Sequence, residues 1–67
     1  MQSELWFLTD GARVLSVFEN RQEAEHNMDR YRDDPDYSYY EVYSIEIDDL
    51  EDFPDEYDLA LGEGFLR

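Results

Sequence analysis

Seven of the eleven residues from Asp48 to Asp58 are carboxylates: Asp48, Asp49, Glu51, Asp52, Asp55, Glu56 and Asp58. None is basic, and Leu50, Phe53 and Tyr57 sit among them. Carboxylates at this density could hold a hard cation, work as an acid–base pair, or stand in for phosphates before a basic protein. The calcium reading fails on spacing. An EF-type loop begun at Asp48 meets Leu50 at its third position and Phe53 at its sixth, where glycine is required. Acid–base work needs two carboxyls with divergent pKa values across a cleft, and 67 residues leave little material for a cleft of ~300 Å³. His26, the one histidine, lies between Glu25 and Asn27 on an expected helix surface. The chain has no lysine, no cysteine, and none of the nucleophile, phosphate-loop or zinc-protease motifs. A non-enzymatic role without cofactor or metal is expected.

The third chemistry fits better. Same-face residues on a strand lie about 6.6 Å apart, twice the ~3.3 Å rise, comparable to the repeat of a sugar-phosphate backbone. Asp33, Asp34 and Asp36 precede an expected third strand, Glu46, Asp48 and Asp49 end it, and Glu51, Asp52, Asp55, Glu56 and Asp58 continue the line. Such a surface suits the basic cleft of a nucleic-acid-binding protein, with Tyr37, Tyr39 and Tyr57 as aromatic anchors. Exposed charge pairs are screened, so the affinity is expected to depend on salt.

Charge is divided unevenly along the chain. Residues 1–32 hold six acids and four arginines; residues 33–67 hold thirteen acids and Arg67. A segment so charged ordinarily stays disordered, but this one also carries Tyr40, Tyr43, Ile45, Ile47, Leu59, Leu61 and Phe65. A folded, one-sided acidic surface is expected. The net charge of −14 repels nucleic acid and anionic lipid and steers toward basic partners. The absence of lysine admits another reading, a salt-adapted surface, which predicts acids on every face. No apolar run approaches the ~18 residues of a membrane span. Met1-Gln2-Ser3-Glu4 also lacks the basic region of a signal peptide, so a cytoplasmic site is expected.

The elements that must position these residues can be read in order, as a single domain over 1–67. A chain this short is marginal without staples, and its eleven aromatics are the compensation. Residues 4–18 read as a β-hairpin, with Asp10-Gly11 as a two-residue type I′ turn. That turn would set Thr9 opposite Ala12, Phe7 opposite Val14 and Leu5 opposite Ser16. Leu5, Phe7, Val14, Ser16 and Phe18 would then share one face; Trp6, Leu8, Leu15 and Val17 would share the other. Asn20-x-x-Glu23 caps a helix over 21–32 with the stripe Ala24, Met28, Tyr31, ended by Asp34-Pro35. Residues 37–47 read as strand three, with Tyr43, Ile45 and Ile47 toward that helix and Tyr40 and Val42 opposite. The acidic segment 48–67 contains Pro54 to Gly62, punctuated as a short helix; alternating Tyr57, Leu59 and Leu61 would suit a fourth strand instead. Leu59, Leu61, Phe65 and Leu66 are expected to cover the hairpin's second face. The whole is an α+β fold: a small antiparallel sheet on one helix.

A tiny, cysteine-free, very acidic β-β-α-β chain resembles the small phage-encoded inhibitors of bacterial defence, notably the anti-CRISPR proteins that are similar to DNA in charge. The resemblance lies in size and charge over the whole chain. It implies inhibition by binding, the PAM-reading large subunit of a type I Cascade as partner, the host cytosol as the site of action, and a monomer or weak homodimer. Val17-Phe18-Glu19-Asn20-Arg21-Gln22-Glu23-Ala24-Glu25 also resembles the strand-to-helix junction of small phage and prokaryotic domains of unknown function. Two other roles remain open at this stage: an acidic salt-adapted domain, and an antitoxin-like partner that masks a basic protein through a Trp6, Leu8, Leu15, Val17 face.

Overall fold

The computed structural model describes residues 3–66. Three strands, β1 (Glu4–Thr9), β2 (Val14–Phe18) and β3 (Glu41–Glu46), form an antiparallel sheet in the order β2-β1-β3. Helix α1 (Arg21–Asp29) follows β2, and a 3-10 turn (Tyr37–Tyr39) precedes β3. A 3-10 helix (Ile47–Asp52) leads into helix α2 (Pro54–Gly62). The fold is α+β, and α2 takes the helical alternative rather than a fourth strand. Among the described residues no helix is long and apolar enough to cross a membrane.

Strand alternation gives the central strand β1 two apolar faces, and each is covered. Leu5 and Phe7 join Val17, Ile45, Leu50 and Ala60 in the buried core, with Val14, Tyr43, Ile47, Leu59, Phe65 and Leu66 packed around it. This is the α2 side. On the other side Leu8 and Ala24 are buried, Arg21 lies over the Trp6 ring at 5.9 Å, and Met28 shares a depression with Tyr40 and Val42. The expected side assignment is therefore reversed: Tyr43, Ile45 and Ile47 face α2, and Tyr40 and Val42 face α1. Leu59, Phe65 and Leu66 cover the Leu5–Phe7 face rather than the expected Trp6–Leu8 face, because α2 packs where Tyr43, Ile45 and Ile47 lie, and Leu61 stays outside the core, 46% exposed.

The hairpin also differs from expectation. Phe7 pairs with Val17, Leu8 with Ser16 and Thr9 with Val14, with a slip between Leu8 and Thr9. The connection is longer than a two-residue turn because side chains hold it. The Asp10 carboxylate accepts the Ala12 and Arg13 N–H groups at 2.9 and 3.0 Å. The Thr9 hydroxyl donates to the Arg13 carbonyl at 2.8 Å. Gly11, at φ +95°, passes Tyr39 so closely that an added Cβ would sit 3.2 Å from the Tyr39 carbonyl oxygen. An Asx-type turn has replaced the tighter one.

Helix α1 starts as its cap predicts, with the Glu23 N–H donating to Asn20 Oδ1 at 2.8 Å. It ends at Asp29, earlier than residue 32, and the chain continues as turns. Tyr37–Tyr39 is a 3-10 turn instead of strand. Asp34 accepts the Asp36 N–H at 2.8 Å and the Tyr40 hydroxyl at 3.4 Å. Tyr40 stacks on Tyr31 and Tyr37, with ring centroids 4.9 and 6.2 Å apart. Turn carbonyls take the N–H groups a strand ladder would have taken: Tyr37 donates to Asp34 at 3.0 Å, Tyr39 to Asp36 at 2.9 Å and Tyr40 to Tyr37 at 3.0 Å.

Candidate functional site

The two helices carry different charge, and the sheet keeps them apart. Residues 19–32 hold Glu19, Glu23, Glu25 and Asp29 against Arg21, Arg30 and Arg32. Arg21 pairs with Glu25 at 2.8 Å and Arg32 with Asp29 at 3.2 Å, while Asp34, bonded to Tyr40, and Glu41, beside Glu25 and Asp29, add acid to this side. Residues 46–63 on the opposite side hold nine acids and no base. The acids are densest around α2, where Arg13 lines a depression with Asp55 and Asp58.

Of the eleven acids expected to form the site, Asp34 and Glu56 are half-buried and the other nine exposed. The structure separates them into two groups. Asp33, Asp34 and Asp36 lie before β3, and the rest lie from its last residue onward. The length of β3, about 17 Å at ~3.3 Å per residue, stands between them. Asp34 is occupied by its turn, so this first group is partly structural.

The second group is arranged differently from an extended line on a strand. In a 3-10 helix, residues i and i+3 eclipse at ~2 Å rise per residue, so Asp48 stands in register with Glu51, and Asp49 with Asp52, about 6 Å apart. In α2, Asp55 and Asp58 are also i,i+3 neighbours, with Cβ atoms about 5–6 Å apart. The repeat near 6 Å that a strand would have given is supplied by helical rows. Leu50 pins them, 1% exposed in the core, and Pro54 in the first turn fixes the start of α2.

Glu56 turns the other way. It accepts the Tyr43 hydroxyl at 2.9 Å, and Tyr43 stacks beside Phe7 at 5.8 Å. Burial chiefly, then the Glu56 hydrogen bond and charge, push the Tyr43 hydroxyl well above its ordinary value of 10.0. Glu56 therefore belongs to the α2–sheet contact more than to the free acidic surface.

The aromatic anchors are also dispersed. Tyr37 is half-buried in the tyrosine stack, Tyr39 is 65% exposed beside the hairpin loop, and Tyr57 is 37% exposed on α2. Only Tyr57 shares an element with the acid rows. Two residues that sequence reasoning left out of the site, Phe53 and Leu61, are exposed next to it; their i, i+4, i+8 spacing with Tyr57 was the readable signal. Among the described residues no group of three or more potential ligands is placed to hold a metal ion. The Trp6, Leu8, Leu15, Val17 face does not form, because Leu8 and Val17 are buried on opposite sides of the sheet.

Comparison with protein-family models, with curated proteins and with solved structures finds no match to this chain.

Proposed function

We propose that this protein is a non-enzymatic inhibitor that occupies the cationic nucleic-acid site of another protein, its carboxylates standing where phosphates would lie. The observation that carries the reading is the concentration of acid around α2: residues 46–63 hold nine acids and no base, with Arg13 of the hairpin beside two of them, Asp55 and Asp58. Self-repulsion on one face opposes folding, and a cationic partner offsets it. The target proposed from the resemblance in size and charge is the PAM-reading large subunit of a type I Cascade in the bacterial cytosol.

The test is competition. Purified type I Cascade is titrated with PAM-bearing duplex in the presence of the wild-type chain or the variant Asp48→Lys, Asp49→Lys, Asp52→Lys, Asp55→Lys. The wild type should displace the duplex, less effectively as salt rises, and the variant should not displace it at all. Equal displacement by both chains would remove the carboxylates from the mechanism. If Cascade ignores the wild type, a low-salt pull-down from bacterial lysate decides whether any nucleic-acid-binding protein is retained and released by DNA. An empty column sinks the mimicry reading itself.

A further inference from the structure

We infer that the line Phe53–Tyr57–Leu61 along α2 is the docking ridge of the acidic face, and that its partner is a cationic protein segment presenting apolar side chains between its basic ones. The inference rests on the cationic partner proposed above and names what that partner must offer besides charge. Phe53, Tyr57 and Leu61 are 41%, 37% and 46% exposed and make up three of the five exposed large hydrophobics among the described residues. They fall at i, i+4 and i+8, a ridge about 12 Å long at 1.5 Å per residue. The buried side of the same helix is already supplied by Ala60 and the half-buried Leu59, so the ridge is not needed for the core. Scattered single hydrophobics need no explanation, but an aligned row among carboxylates is an interaction feature.

Charge selects the occupant. Tyr57 and Pro54 line one shallow depression with Glu51 and Asp58, so whatever sits on the ridge also meets those two acids. A second copy docked ridge to ridge would set Glu51 and Asp58 of each copy against those of the other. Anionic lipid is repelled for the same reason. A basic segment with aliphatic or aromatic side chains satisfies both the acids and the ridge. It also changes how the complex answers to salt, because charge pairing at the surface is screened while apolar burial is not.

Two model peptides of about 15 residues, long enough to form a helix, separate the contributions. One carries leucine and lysine at amphipathic helical spacing; the other has serine at every leucine. Each is titrated calorimetrically into the wild type and into Phe53→Ser/Leu61→Ser at about 0.1 M and 0.5 M NaCl. Both substituted positions are exposed, and a thermal melt checks that the fold is kept. The wild type should bind the leucine peptide at least about tenfold tighter than the serine peptide and retain it at the higher salt. The double variant should lose that preference while binding the serine peptide unchanged. A preference that survives in the double variant overturns the ridge. Equal binding of both peptides by the wild type also overturns it and leaves the cationic partner standing, whereas no binding of either at low salt overturns both.

Discussion

The fold alters the protonation of Asp10, Tyr40 and Tyr43; of these, Asp10 reports on the hairpin connection and Tyr43 on the α2–sheet contact. The backbone N–H groups of Ala12 and Arg13 hold the Asp10 carboxyl below its ordinary value of 3.8, and the Arg13 guanidinium adds to the effect. A depressed carboxylate contributes stability that is complete above the unfolded value and is lost as pH falls through the folded one. The hairpin connection should therefore weaken only below about pH 3.8. Side-chain NMR titration should place Asp10 below that value, and Asp10→Ala should remove its share of the acid sensitivity; an unshifted titration would mean the carboxylate does not hold the turn. Tyr43 works in the opposite direction. Its hydroxyl is raised by burial and by Glu56, so its contribution is complete below the unfolded value of 10.0 and is lost as pH climbs above it. Tyr43→Phe should cost about 1 kcal/mol or less at neutral pH, the net worth of one partly solvated hydrogen bond. It should also flatten the alkaline limb of the stability curve, measured by urea unfolding at pH values either side of 10.

At the scale of elements, α2 is the piece whose ends can be tested independently. Its C-terminus is a Schellman motif: the Phe65 N–H donates to the Ala60 carbonyl at 2.9 Å and the Gly64 N–H to the Leu61 carbonyl at 3.2 Å. Gly64 supplies the positive φ, +86°, and an added Cβ there meets nothing within 4 Å. Gly64→Ala should thus cost about 1–2 kcal/mol from backbone conformation alone. Gly62 lies two residues earlier, inside the helix and equally free of contacts, so Gly62→Ala should stabilise by about 0.4–1 kcal/mol. Opposite signs in thermal melts confirm the cap; equal signs deny it. The proline start of this helix was legible in the sequence, as were the Asn20 cap and the existence of three strands. The glycine stop was not, since Gly62, expected just past the end, lies inside the helix and Gly64 makes the cap. The hairpin register was not legible either. Asp10-Gly11 signals a tight turn, but the Thr9 hydroxyl and Asp10 carboxylate hold a longer one that no pairwise propensity reports. Sidedness was hidden for another reason: both faces of β1 are apolar, so the pattern fixes alternation without saying which helix takes which face. The 3-10 turn at Tyr37–Tyr39 was concealed because aromatic residues favour strands in isolation, and here Tyr31, Tyr37 and Tyr40 stack on one another instead. The acids of the candidate site could all be named from the sequence, yet their grouping into helical rows followed only from the 3-10 geometry of residues 47–52.

For the whole molecule, the question is whether the acidity answers to a partner or to the solvent, and salt separates the two. Carboxylates about 6 Å apart within a row repel across a distance shorter than the ~10 Å Debye length at 0.1 M and longer than the ~3 Å length at 1 M. If the α2 face is a binding surface under self-repulsion, added NaCl should raise the melting temperature steeply at first and level off by about 1 M. Potassium and sodium chloride should behave alike, since screening depends on ionic strength alone. Replacing Asp48, Asp49, Asp52 and Asp55 by lysine changes residues 46–63 from nine acids without a base to five acids with four bases. The variant should melt higher than wild type at low salt and show little further gain. A surface adapted to concentrated salt behaves differently: stability keeps climbing beyond 1 M, depends on which ion is present, and rises in the variant too, because the remaining acids on both sides of the sheet still organise water and ions. Differential scanning calorimetry of both chains from 0.05 to 3 M salt, a range that spans Debye lengths from over ~10 Å to under ~3 Å, decides between them. A plateau in the wild type that is absent from the variant assigns the charge to recognition, while parallel, unsaturated curves assign it to solvation and withdraw the mimicry proposal.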